Sequence, residues 1–119
     1  YSDVYEKRNS AVVSSGVAIA KYTGHGGKSS TSDASSELVG AVRRILSSGN
    51  VNWQIAEMGK VDAGGGGTVA KYIANLNIDV VDIGVPVLSM HSPFEIISKA
   101  DLYSCYRAFC EFYSSEEKL

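Results

Sequence analysis

No apolar run in these 119 residues approaches the roughly 20 needed to span a bilayer, which excludes a membrane-spanning helix. The first residues lack the basic-then-apolar pattern of a secretory signal. Neither sign of charge dominates: 11 Lys and Arg against 13 Asp and Glu leave a formal −2, which offers nothing to nucleic acid or to an anionic membrane surface. Metal-binding side chains are scarce, with two histidines and two cysteines. HExxH, CxxC and a Ser-His-Asp arrangement are all missing. A complete catalytic metal site needs about three protein ligands and a general base, so this chain does not hold one by itself. Cys105 and Cys110, placed on one helix, point about 140° apart at 100° per residue, which argues against a disulfide. Their spacing also suits zinc poorly. Two reduced thiols on or near the core remain, as expected of a cytoplasmic protein.

What is present is the composition of a folded globular chain, 45% hydrophobic and 20% charged. Residues Val17 to Tyr22 (VAIAKY) are apolar and β-branched and predict a buried strand. The following TGHGGKSSTSD, rich in glycine, serine and threonine, predicts a mobile loop. Ser32 or Asp33 is then placed to cap a helix whose Leu38, Val39, Val42, Ile45 and Leu46 share one face, with Gly49 at its end. Asn52 to Met58 predicts a strand with one covered face, through Trp53 and Ile55. After the glycines, Thr68 can cap a short helix with Val69, Tyr72, Ile73 and Leu76 on one side. Ile78 to Val85 is a further β-branched run. Ser98 and Asp101 fit a capping box for a last helix that carries Leu102, Tyr106, Phe109, Cys110 and Tyr113 at helical spacing. About three strands alternating with three helices predict an α/β sheet covered by helices. So few strands bury little apolar area alone. The chain also opens at Tyr1, with no Met and no clear element in its first residues, so a piece of a longer polypeptide is expected.

Chemistry has three places to sit. In GKVDAGGGGT, Gly64, Gly65, Gly66 and Gly67 either form a structural tight turn or let the backbone approach a ligand closely. The helix start behind them favours an anion or a carbonyl oxygen, but neither a P-loop nor a dinucleotide fingerprint is present. In LSMHSPFE, His91 follows a strand at the expected C-terminal edge of the sheet, where ligands of open α/β sheets bind. By spacing alone it is a surface histidine, a structural one or a metal ligand. Glu95 lies four positions on, but Pro93 argues against a continuous HxxxE helix face. The third place is the loop with His25 and Lys28, either a solvated loop, a lid or a subunit contact.

The segments VDAGGGGTVAKYIA, DVVDIGVPVLSMHSPFE and SKADLY, in that order, resemble the end of the aminopeptidase I family of zinc metallopeptidases, which includes the aspartyl aminopeptidases. The prokaryotic branch is the nearest in pattern, and the resemblance runs over about residues 1 to 113. It implies a three-layer α/β/α catalytic domain, of which residues 1–119 would be the C-terminal portion, and a site for two zinc ions, with other divalent metals able to replace them. It implies that His91 is the family's final metal ligand. The other ligands and the general-base Glu belong to segments before Tyr1, so no catalytic residue is expected in this chain and the fragment alone should be inactive. The resemblance further implies a peptide substrate trimmed from its N-terminus, Gly64–Gly67 lining the pocket, and Lys28 touching substrate or a neighbouring subunit. It also implies a homo-oligomer of the tetrahedral, dodecameric kind. Tyr5 and Asn9 stand in SDVYEKRNSAVV where the family often has histidines, which removes a histidine contact to substrate there but leaves the metal site intact. An alternative reading is a small α/β module that holds a phosphate or nucleotide at the glycine loop, served by Lys60 and Lys71.

Overall fold

The computed structural model describes residues 10–25, 29–57 and 69–117. Its centre is β1 (Val17–Ala20), in which Val17 and Ile19 are fully buried while Ala18 and Ala20 are half-buried. That alternation is the period-2 signature of a strand with one face on the core. β1 is flanked on both sides. A hairpin, β2 (Tyr22–His25) and β3 (Ser29–Asp33), follows it in sequence, then α1 (Ser36–Ser48), and the chain returns as β4 (Trp53–Ile55) parallel to β1. Parallel neighbours need such a crossover. After α2 (Ala70–Ala74), β5 (Asp82–Gly84) takes the other edge of β1, antiparallel, with Ile19 opposite Ile83. A second hairpin, β6 (Val87–Leu88) and β7 (Ile96–Ile97), leads into α3 (Lys99–Ser114).

The α/β alternation expected from the sequence is present, with two hairpins added to it. The described residues of the stretch read as a mobile loop, up to His25 and from Ser29 to Asp33, pair as the β2–β3 ladder, irregular between Thr23 and His25. This pairing also moves the cap of α1. Asp33 pairs with Tyr22 and holds Lys21 Nζ at 2.6 Å, so it is spent before the helix begins. Ser35 caps instead, its Oγ accepting from the Leu38 N–H at 3.1 Å. Gly49 does end α1, but at φ −82°, and Asn50 takes the left-handed turn at φ 57°. A Cβ at 49 would lie 2.4 Å from the Glu111 side chain, which would have to swing aside to admit it.

One apolar cluster joins α1, α3 and the sheet: Val17, Ile19, Val42, Leu46, Val51 and Ala108, with Leu38, Trp53, Val81, Ile83 and Cys105 against it. α3 enters this core on Asp101, Cys105 and Ala108, which follow one another at i, i+4 and i+7. The stripe read at helical spacing in the sequence is on the other side. Leu102, Tyr106, Phe109, Cys110 and Tyr113 are exposed, with Tyr113 at 79%. Asp101 forms no capping box. Its carboxylate, 1% exposed, accepts from the N–H of Ser14 at 2.7 Å and of Gly16 at 3.0 Å, and Ser98 starts α3 without a side-chain cap. Gly16 adopts φ +98° there, with Asn52 O so near that a Cβ would be 2.4 Å away. Likewise α2 buries Ala70 while Val69, Tyr72, Ile73 and Leu76 stay exposed. Thr68, its expected cap, lies outside the described residues. Among the described residues no helix is long and apolar enough to cross a membrane.

Candidate metal-ligand loop

The path to His91 starts at the buried edge of the sheet. β5 runs antiparallel to β1, with Gly84 opposite Ala18, so the chain leaves β5 beside the N-terminal half of β1. His91 therefore does not follow the C-terminal edge of the sheet, where the sequence placed it. His91 sits in a separate hairpin beyond the three-stranded sheet. Pro86 is buried and Val87 half-buried; from Leu88 onward the chain is exposed up to Ile97. Val87 pairs with Ile97 and Leu88 with Ile96, which closes the loop 89–95 at its base.

Inside that loop the backbone turns twice into the left-handed region, at Ser89 (φ 60°) and at His91 (φ 69°). Such values are uncommon for residues with a Cβ, and histidine is among the types that tolerate them. Local hydrogen bonds fix the turn. The Ser92 N–H donates to Ser89 O at 3.0 Å. The Ser92 hydroxyl donates to Phe94 O at 2.6 Å and accepts from the Phe94 N–H at 3.2 Å. The His91 N–H donates to Glu95 Oε1 at 2.5 Å. Pro93 does prevent an HxxxE helix face, but His91 and Glu95 meet across a turn instead. Sequence reasoning missed this contact because it looked for the pair at helical spacing only.

His91 is exposed at the loop's apex, where an imidazole nitrogen is available to a ligand. Among the described residues no three His, Cys, Asp or Glu gather into a metal-holding group. Zinc takes three or four protein ligands, so this donor set fits one position of a zinc site and not a whole one. Gly64, Gly65, Gly66, Gly67 and Lys28 lie outside the described residues, as does Lys60. Lys71, which the phosphate reading would direct at an anion, has its ammonium 4.6 Å from the Tyr72 ring centre. Among the described residues a cavity of about 380 Å³ lies elsewhere, between Lys21, Asp33, Ser35, Asn77 and Asp79, and neither His91 nor Glu95 lines it.

The match to the model of the family described as aminopeptidase I zinc metalloprotease (M18) spans residues 1–113, and the chain belongs to that family. It is 51% identical over 113 residues to a probable M18 family aminopeptidase 1 of Borreliella burgdorferi, covering 95% of this chain and 25% of that protein. The chain thus spans about a quarter of the length of the curated relatives it matches. Its fold superimposes on the crystal structure of aminopeptidase I from Clostridium acetobutylicum with a TM-score of 0.88 at 50% identity, covering 97% of this chain and 25% of that one. At 19% identity and a TM-score of 0.67, the likeness to PhTET1-12s, a dodecamer, covers 87% of this chain and 28% of that one and concerns the fold alone.

Proposed function

We propose that this chain is the C-terminal portion of the catalytic domain of a metalloaminopeptidase, an enzyme that removes N-terminal residues from peptides, and that His91 is its contribution to a two-zinc site. The observation that carries the reading is the membership over residues 1–113 combined with an exposed histidine held at the apex of a hydrogen-bonded loop. The loop gives the imidazole a fixed origin, since its peptide is tied to Glu95 and its base to the β6–β7 pairing. Bound there, the metal pair supplies Lewis-acid polarisation of the scissile carbonyl and activation of water. His91 would hold one metal through a neutral imidazole nitrogen. Proton transfer belongs to a glutamate outside this chain. In the same reading Gly64–Gly67 line the substrate pocket, and Lys28 contacts substrate or a neighbouring subunit. The working form in the same reading is a cytoplasmic homo-oligomer of dodecameric type.

The test is His91→Ala in the full-length protein. Metal analysis should show the loss of about one ion per subunit relative to the unaltered enzyme, and release of N-terminal residues from peptides should be abolished. A variant that keeps both its full metal content and its turnover would sink the reading.

A further inference from the structure

The left-handed backbone at His91 has a cost and needs a cause. An L-residue at φ 69° places its Cβ against the neighbouring carbonyl, and loops keep such conformations only where surrounding contacts over-determine them. The Ser89–Ser92 and Ser92–Phe94 hydrogen bonds shape the loop on either side of position 91. The bond that acts on the peptide of His91 itself runs to Glu95 Oε1. Its acceptor is a carboxylate, which makes it charge-assisted, the stronger class of hydrogen bond. Glu95 is itself well placed to act as an anchor. It immediately precedes Ile96, whose register opposite Leu88 is set by the β6–β7 ladder, and Pro93 restricts the chain just before it. The carboxylate therefore links the start of a strand to the apex of the loop.

We infer that Glu95 is a positioning residue for His91: its carboxylate holds the left-handed peptide of His91, and so sets the direction of the imidazole toward a zinc-class divalent cation. The inference rests on the proposal that His91 is a metal ligand. It assigns Glu95 no contact with metal or substrate. Fixing φ at 91 fixes the Cα–Cβ vector, and a ligand nitrogen some four bonds beyond is displaced by an ångström or more when that vector swings. Removing the carboxylate should therefore weaken metal binding without removing a ligand.

The experiment compares Glu95→Ala, Glu95→Gln and His91→Ala in the full-length protein. Zinc affinity is measured by competition with a chelating dye, the visible spectrum of the cobalt-substituted protein reports the ligand set, and kcat and KM are measured at saturating zinc. Glu95→Ala should bind zinc about 10- to 100-fold more weakly, as loss of an outer support typically does. Its peptide KM at saturating zinc should be unchanged and its cobalt spectrum should keep the unaltered ligand pattern. Glu95→Gln keeps an oxygen that accepts the same N–H and should stay within about threefold of the unaltered protein. Unaltered affinity in Glu95→Ala overturns the inference. So does a Glu95→Gln variant as weak as Glu95→Ala with a changed cobalt spectrum, which would make the carboxylate a ligand. If His91→Ala loses metal while Glu95→Ala does not, the Glu95 inference alone fails; if His91→Ala keeps its metal, the parent proposal fails. Should Glu95→Ala not fold, Glu95→Gln and Glu95→Asp decide the matter. Gln retaining affinity and the shorter Asp losing it supports the positioning role, and the reverse order overturns it.

Discussion

Residues 10–25 and 29–57 with the helix α3 form one kind of region, and residues 69–97 form another. The first holds the closed core, although the outer face of α3 is exposed. Val17, Ile19, Leu46 and Ala108 are all at or near zero exposure, and Asp101, the one buried charge among the described residues, has two N–H partners. The second shows much of its apolar surface: Tyr72, Leu76, Leu88, Phe94 and Ile96 are each more than half exposed. Yet the second region carries His91 and the hydrogen-bonded turn behind it. The contrast separates two roles of sequence. Packing residues are grouped around β1, α1 and α3, and the ligand candidate stands on a loop whose apolar neighbours meet little of the rest of the described chain. That division is usual where a rigid scaffold presents a working loop.

The strongest way to break the comparison is to truncate one leucine from each region in the full-length protein. Leu46 is 1% exposed and sits in the cluster with Val17 and Val42, so Leu46→Ala loses both transfer energy and packing. The expected cost is about 2–5 kcal/mol. Leu88 is 51% exposed, and Leu88→Ala should cost under about 1 kcal/mol if its other half meets nothing in the complete protein. Chemical denaturation of both variants checks the pair. Equal losses would mean that Leu88 is buried in the complete protein, and the open character of residues 69–97 would not survive in it.

These regions also differ in how far sequence reveals them. β1 and α1 were legible because β-branched runs and the i, i+4, i+7 pattern are direct images of their burial, as Val17, Ile19, Val42 and Leu46 demonstrate. The β2–β3 hairpin was not, because glycine, serine and threonine have turn and loop propensities, and its pairing comes from backbone bonds that leave no apolar trace. α3 misled for the opposite reason. Its aromatic residues keep helical spacing, but the side that packs is the one with Asp101, Cys105 and Ala108, which reads as small and polar. At the site, His91 was named through its flanking motif, whereas its antiparallel approach and its bond to Glu95 depend on tertiary pairing and turn geometry.

A smaller effect tests the closed core of the first region at its polar point. Asp101→Ala removes the acceptor for the N–H groups of Ser14 and Gly16 in a buried setting. Orphaned buried donors cost about 1–3 kcal/mol, so stability should fall by that order while zinc affinity at the His91 loop is retained. Hydrogen exchange would localise the loss, with the amides of Ser14 and Gly16 losing protection first. A fall in zinc affinity without a stability change would contradict the independence of the two regions.

The smallest expected effect lies on α3, whose two cysteines sit on the border between the two kinds of surface. Cys105 is half-buried against the core, and burial pushes its thiol above the ordinary value. Cys110 is exposed, and the Tyr106 phenol beside it is raised, first by a hydrogen bond to the Cys110 side chain. Alkylation proceeds through the thiolate. A raised pKa lowers the thiolate fraction at any pH below it, and burial further restricts access, so Cys105 should react more slowly than Cys110 at pH 8. The gap should narrow as pH rises through the Cys105 value, because its thiolate fraction then climbs. Mass-resolved labelling with iodoacetamide separates the two sites. If Cys110 proves the slower in the full-length protein, then the outer face of α3 is covered there, and the exposed stripe of Leu102, Tyr106, Phe109 and Tyr113 is the surface that something packs upon.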